Sequence, residues 1–271
     1  AAALSDMVAA VWGEPYADAS ALPSYLVAEA ARRHVTVALT GDGGDEIFAG
    51  YRRYPFFLAE EKMRDLAPAP LRAGIFGPLG AAYPKLDWAP RYLRAKTTFQ
   101  AMARSSAEGY AAAAAINLPS RMDAVLDPDF KHSLGGYEPA AIIAAAMNDS
   151  GADDPLARAQ YADLMTWLPG RMLAKADRTS MAHGLETRPP LLDHTLVEWA
   201  GGLPAEYKLK SIEGKRILKA AFAPRLGAAF VARKKQGFAP PLKEWLRRKK
   251  HNPAYRLNAS HRWRESGLFN E

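Results

Sequence analysis

Two hydrophobic rhythms run along this 271-residue chain. The first is a short apolar, β-branched run, Val35-Thr36-Val37-Ala38-Leu39. It predicts a strand over His34 to Thr40. Its continuous apolar character predicts burial on both faces, as in a parallel sheet. The second rhythm, apolar residues three and four apart, predicts helices over most of the remainder. Tyr25 to Arg33 has this spacing and ends in basic residues that suit a helix C-terminus. Asp45 to Leu66 aligns Ile47, Phe48, Tyr51 and Leu58 on one side, with Pro55 kinking or restarting the helix. Residues 67–95 carry Pro68, Pro70, Gly74, Gly77, Pro78, Gly80, Pro84 and Pro90, which predict irregular structure with short helices and a mobile excursion. Residues 96–150 read as helical pieces with turns at Asn117-Leu118-Pro119 and Gly135-Gly136.

Further on, Asp153-Asp154-Pro155 starts a helix that carries Leu156, Gln160, Asp163, Leu164, Trp167 and Leu168, and Pro169-Gly170 is expected to interrupt it. Arg171 to His183 follows as a helix stopped by Gly184. Glu186 to Pro190 predicts a compact turn leading into a helix over Leu191 to Ala200, which Gly201-Gly202 and Pro204 end. Tyr207 to Leu209 reads as extended, and Gly214 to Phe222 as helix. Pro240-Pro241 starts a last helix with Leu242, Trp245 and Leu246. No second strand of the quality of His34 to Thr40 follows it. A parallel strand needs neighbours, and these arrive through crossover helices. The rest of the sheet is therefore expected from segments ahead of Ala1, and the chain is expected to be a fragment.

Composition narrows the classes. A hydrophobic share of 49% with 24% charged residues is that of an ordinary soluble globular chain. No apolar run approaches the length of a membrane span, and no signal-peptide pattern opens the chain. Cysteine is absent, which removes disulfides, thiolate metal sites and a cysteine nucleophile, and suits a cytoplasmic location. The net charge of +7 is uneven: from Ala205 onward 17 Lys and Arg face 5 acids, and the remainder holds 19 against 24. A basic tail invites a nucleic-acid reading. No binding module accompanies it, so a solvated basic face, or a cationic set that meets substrate phosphates, is the preferred reading.

The chemistry concentrates after the predicted strand. Common signatures such as G-x-S-x-G, H-E-x-x-H and the P-loop do not occur, and the six histidines are scattered. In Thr40-Gly41-Asp42-Gly43-Gly44-Asp45-Glu46, three carboxylates occupy five positions. They are costly together unless a cation or a donor answers them. Strand C-terminal edges are where open α/β sheets bind ligands. Gly41, Gly43 and Gly44 allow close approach of a ligand. One or two carboxylates with phosphate oxygens suit Mg²⁺. An acidic N-cap and first helical turn is the other reading. Two further clusters, Lys175 to Pro189 and Arg233-Lys234-Lys235-Gln236-Gly237-Phe238, admit both structural ion pairing and phosphate contact.

Taken together, four stretches resemble the synthetase domain of glutamine-dependent asparagine synthetases. They are Glu14-Pro15-Tyr16-Ala17-Asp18-Ala19-Ser20-Ala21-Leu22-Pro23, Thr40 to Glu46, Leu173 to Asp193, and Lys234 to Phe238. Their order along the chain also matches that family. The resemblance implies an α/β fold of the adenine-nucleotide α-hydrolase-like, ATP pyrophosphatase type, here as a single partial domain over 1–271 that is mostly helical with few parallel strands. It implies that Mg-ATP adenylates aspartate and that ammonia from a separate glutaminase domain displaces AMP from β-aspartyl-AMP. ATP and Mg²⁺ are the implied cofactors. On this resemblance Asp45 is the magnesium ligand and Asp42, where many members carry Glu, positions substrate or intermediate. Lys235 neutralises charge developing on the phosphates. Glu46 joins this catalytic set. Glu186 and Arg188 orient, and Gly41, Gly43 and Gly44 border the nucleotide. The resemblance allows a homodimer.

The chain also departs from the family pattern. The S-G-G-x-D-S pyrophosphate loop and the N-terminal cysteine that hydrolyses glutamine do not occur in it. Gly13 replaces an acid before Glu14-Pro15, and Arg171 stands where relatives often carry Asp. As an isolated polypeptide the chain is expected to be inactive, without ammonia generation or normal ATP binding. The alternatives are an amidotransferase or β-lactam-synthetase-like enzyme with another acceptor, and a non-catalytic binding module.

Overall fold

The computed structural model describes residues 11–13, 16, 18–84, 96–115, 122–233, 240, 241, 244, 247 and 265–269. Helix α1 (Ala21–Arg32) leads into strand β1 (Val37–Leu39). A short helix α2 (Gly44–Ile47) and the helices α3 (Arg53–Arg64), α4 (Ala69–Ala82), α5 (Lys96–Met102), α6 (Ser106–Ala114), α7 (Pro128–Ser133), α8 (Pro139–Asn148) and α9 (Pro155–Ala162) follow. A π-helix (Asp163–Leu173) continues into α10 (Ala174–Met181). The chain then re-enters the sheet as β2 (Glu186–Arg188), turns through a 3₁₀ segment (Pro190–Leu192), and ends its described course in α11 (His194–Gly201), α12 (Ala205–Lys208), α13 (Arg216–Leu226) and α14 (Ala228–Val231).

The two strands are parallel, with Val37 opposite Glu186, Ala38 opposite Thr187 and Leu39 opposite Arg188. The expectation of an α/β chain, mostly helical with few parallel strands, therefore holds. The expected burial on both faces does not. Val37 is 38% and Leu39 74% exposed, and β2 shows the same exposed–intermediate–exposed pattern. No further strand pairs with either partner among the described residues.

Local sequence explains most helix ends. Ser105 and Glu108 form a reciprocal capping box at the start of α6. Asp127, Asp154 and Asp193 each accept a backbone N–H at the start of α7, α9 and α11, and Pro128 and Pro155 sit where a helix loses nothing by lacking an N–H. Gly184 (φ +67°) closes the helix that ends near Met181.

Five expectations are corrected. The helix expected over Asp45 to Leu66 is two helices, parted at Phe48 to Arg52, where Ala49 adopts a left-handed φ of 54°. Pro55 lies in the first turn of α3, so it restarts rather than kinks. Pro169-Gly170 does not interrupt: the widened π-helical turns carry the chain past a ring that would clash with a carbonyl in an α-helix. The expected turn at Glu186 to Pro190 is strand β2 followed by 3₁₀, and Tyr207 lies in a helix rather than an extended piece. In the region read as irregular with short helices, residues 69–82 form one longer helix, α4, with Pro78 inside. The turns expected at Asn117-Leu118-Pro119, the excursion past Pro84 and the helix with Leu242, Trp245 and Leu246 lie outside the described residues.

Two apolar clusters hold this arrangement. Tyr54, Phe57, Tyr110, Met147, Leu156, Ala159 and Ala162 join α3, α6, α8 and α9, with alanines allowing close helix approach. Ile47, Phe48 and Ala200 pack with Leu164, Leu191, Leu192, Leu196 and Val197, clamping α2 against the segment after β2. No described helix is long and apolar enough to cross a membrane.

Candidate functional site

The sheet register brings two strand ends together. Glu186 donates its N–H to Thr36 O (3.0 Å) and Thr40 donates to Arg188 O (2.9 Å). The acidic loop after β1 therefore lies beside the loop after β2. Gly43 is required there twice over. Its φ is +84°, and a β-carbon on it would lie 2.2 Å from Leu192 Cδ2. At Gly44 a β-carbon would fall 2.9 Å from Leu191 Cδ1. At Gly41 it would meet nothing within 4 Å, so packing does not demand that glycine.

Asp42 is half-buried in the loop. Asp45 forms an ion pair with Lys215, Oδ1 to Nζ 3.1 Å. The backbone at this contact is unusual. Lys215 takes a left-handed φ of 57° and donates its N–H to Phe48 O at 2.8 Å. Such a conformation costs a non-glycine residue about 1–2 kcal/mol. Gly214 lies so close to Ala49 that a β-carbon would come 2.0 Å from its carbonyl oxygen. Lys215 is a residue that sequence reasoning missed. The only local signal was the Gly214-Lys215 pair, and its partner lies at the other end of the chain.

Glu46 is turned inward and is 2% exposed. Tyr51 donates its hydroxyl to Glu46 Oε1 at 2.5 Å, and Trp167 Nε1 donates to Tyr51 Oη at 3.2 Å. Burial raises the Glu46 carboxyl above its ordinary range, and the Tyr51 hydrogen bond only partly opposes this. Gln160 donates to the carbonyls of Glu46 (2.5 Å) and Ile47 (2.8 Å), and buried Lys208 donates to Gln160 Oε1 at 3.3 Å. Thus α2 is held from below by polar groups.

A second network adjoins it. Arg53 (2.6 Å), Tyr54 (2.5 Å) and Tyr110 (2.6 Å) all donate to Asp163 Oδ2. Burial and then the Asp163 charge push both tyrosine hydroxyls well above their ordinary value, so they remain protonated donors. A third network fixes the segment that includes Tyr16 and Ser20. Arg171 donates to Asp18 Oδ2 at 3.1 Å, Lys175 lies 3.7 Å from the same oxygen, and Tyr16 donates to Arg171 O at 2.5 Å. Burial opposes ionisation of Asp18, but the Arg171 and Ser20 hydrogen bonds outweigh it and hold its carboxyl at about 2. Arg171 is therefore a structural cation here.

Glu186 and Arg188, at the two ends of β2, pair with each other at 2.8 Å and are both largely exposed. The structure thus brings Asp42, Asp45, Gly41, Gly43, Gly44 and Arg188 to one edge of the sheet, and places Glu46 beneath it. Lys235 lies outside the described residues. Among the described residues no group of three or more His, Asp or Glu side chains forms a metal cage. Magnesium needs only one or two protein carboxylates and completes its shell with phosphate oxygens and water, a demand that the Asp45 carboxylate in this loop could meet.

The asparagine synthase family model matches residues 1–271. The chain belongs to the asparagine synthase family. A provisionally named glutamine-hydrolysing asparagine synthetase of Mycobacterium tuberculosis is 35% identical over 242 residues, which are 88% of this chain and 35% of that protein. The glutamine-hydrolysing asparagine synthetase 1 of Bacillus subtilis is 30% identical over 246 residues, 90% of this chain and 37% of that protein. A relative named amidase chyE, from Penicillium rubens, is 26% identical over 268 residues, 87% of this chain and 37% of that protein. The chain spans about a third of the length of these relatives. No solved structure matches it at a significant level.

Proposed function

We propose that the chain is part of the synthetase domain of an ATP-dependent, amide-forming ligase that makes asparagine from aspartate. The observation that carries this reading is the acidic, glycine-rich loop at the end of β1, set beside the end of its parallel partner β2. Open α/β sheets bind ligands at such edges. This placement also supports the ATP pyrophosphatase type of fold. In this proposal an oxygen of the aspartate β-carboxylate attacks the α-phosphorus of ATP and pyrophosphate leaves, giving β-aspartyl-AMP. Ammonia, released from glutamine by a glutaminase domain, then attacks the acyl carbon, and AMP leaves with the bridging oxygen while a proton is lost.

The chain's own residues divide the work. Asp45 offers its carboxylate for magnesium, which when bound would supply charge neutralisation for the polyphosphate, and Asp42 positions the substrate or intermediate. Gly41, Gly43 and Gly44 let the backbone approach the nucleotide. Lys235 stabilises the charge that develops on the phosphates. Arg188 orients from the neighbouring strand, and Glu186, at the far end of that strand, acts through its ion pair with Arg188. Glu46, closed off beneath Tyr51, acts through the loop it anchors rather than by touching substrate. Such an enzyme would work in the cytoplasm, and a homodimer is compatible with the proposal.

The test is product analysis with the full-length protein: ATP and aspartate should give AMP and pyrophosphate, and glutamine or ammonia should convert the acyl group to asparagine. Formation of ADP and phosphate would refute it. A second reading, the same adenylation with a different acid or amine acceptor, is favoured by one observation: the chain matches the Penicillium amidase over 87% of its length. A screen of carboxylic acids in the same assay separates the two.

A further inference from the structure

The site described above contains a cation that the proposed chemistry has not used. Lys215 Nζ lies 3.1 Å from Asp45 Oδ1, and both groups are partly exposed at the sheet edge. The contact is built in. A β-carbon on Gly50 would fall 2.0 Å from Asp45 Oδ1 and 2.3 Å from Lys215 Cε, and one on Gly44 would lie 3.5 Å from Lys215 Nζ. Lys215 holds a left-handed backbone conformation to reach the site and hydrogen-bonds Phe48 O through its own N–H. Glu46 and Asp163 do not compete for its ammonium, since each carboxylate is buried and bonded to its own donors.

We propose that Lys215 makes the Asp45 site select a metal–polyphosphate complex over the bare divalent cation. The inference rests on the reading of Asp45 as a magnesium ligand. A lone divalent ion held by Asp45 would sit beside the ammonium and be repelled by it. Even at the dielectric constant of water, a divalent and a monovalent cation about 5 Å apart repel enough to weaken binding about tenfold. When the ion arrives with ATP, the sign reverses. The complex carries net negative charge, and the same ammonium attracts its phosphate oxygens. One fixed cation thus penalises the metal alone and favours the metal with its nucleotide. It also keeps the acidic loop compensated when nucleotide is absent.

The test is a binding titration on the full-length protein, with Mn²⁺ as the probe and electron paramagnetic resonance reporting free Mn²⁺. Wild type, Lys215→Met, Lys215→Gln and Asp45→Asn are compared with Mn²⁺ alone and with Mn²⁺ plus ATP. Both Lys215 variants should bind bare Mn²⁺ about tenfold more tightly and Mn-ATP about tenfold more weakly. Asp45→Asn should weaken both. If Asp45→Asn weakens binding but the Lys215 variants bind bare Mn²⁺ as wild type does, the inference is overturned and the magnesium reading stands. If Asp45→Asn has no effect, the magnesium reading fails and takes the inference with it. If neither Lys215 variant folds, Lys215 is a structural counter-ion and the inference is overturned.

Discussion

Gly50 lies against the Asp45 carboxylate so closely that a β-carbon on it would come 2.0 Å from Asp45 Oδ1. A side chain at residue 50 would occupy the space in which Asp45 and Lys215 meet. Gly50→Ala should therefore force both charged groups apart, with an overpacking cost of about 1–3 kcal/mol. Chemical denaturation measures it. Gly41→Ala is the control: its β-carbon meets nothing within 4 Å, so stability should stay within about 0.5 kcal/mol. Any effect of that variant should fall on nucleotide binding.

Asp163 is the hub of a buried network, accepting from Arg53, Tyr54 and Tyr110 on one oxygen. Asp163→Ala leaves the Arg53 charge buried without its counter-ion and should cost about 3–5 kcal/mol. Tyr110→Phe removes one donor of three and should cost about 1 kcal/mol. Denaturant midpoints of the two variants would order them this way. Because Tyr110→Phe keeps the ring that packs on Phe57, with centroids 5.0 Å apart, its loss reports the hydroxyl alone, and equal losses in the two variants would contradict the assignment of Asp163 as the hub.

Asp18 makes the protein's stability depend on pH in a defined window. Its folded carboxyl is held at about 2 against an ordinary 3.8. A depressed folded value contributes stability that is fully present above the unfolded value and is lost as pH falls through the folded one. The contribution is thus present above pH 4 and fades toward pH 2. Asp18→Asn should remove about 1 kcal/mol at neutral pH, after allowance for solvent screening. It should also flatten the acid limb of the stability curve between those two values.

The acidic loop was legible because its signals are local. A β-branched run, three glycines and three acids mark a strand and the turn after it without reference to anything distant. Helix starts at Asp154 and Asp193 were legible for the same reason, since a cap bonds within three residues. Strand β2 was not. Glu186-Thr187-Arg188 carries polar ends and proline neighbours, and becomes a strand only because β1 supplies hydrogen-bonding partners from elsewhere in the chain. Pro169 misled because an isolated proline signals a helix end, whereas the π-helix accommodates it. Lys215 was invisible for a similar reason: its role is defined by a contact with Asp45 and by space left at Gly50, neither of which sequence spacing encodes.

Lys235 carries the electrostatic part of the proposed adenylation. Lys235→Ala in the full-length protein should lower aspartate-dependent pyrophosphate release by about 100-fold or more, while glutamine hydrolysis continues at its wild-type rate. Pyrophosphate release at the wild-type rate would remove Lys235 from the reaction.

The most direct measurement of the central claim follows an oxygen atom. Aspartate labelled with ¹⁸O in its β-carboxylate is incubated with ATP, an ammonia source and the full-length protein, and the nucleotide is weighed by mass spectrometry. Adenylation predicts AMP carrying one labelled oxygen, because the carboxylate oxygen that attacks phosphorus departs with it. Label found in inorganic phosphate, or AMP without label, would contradict the account.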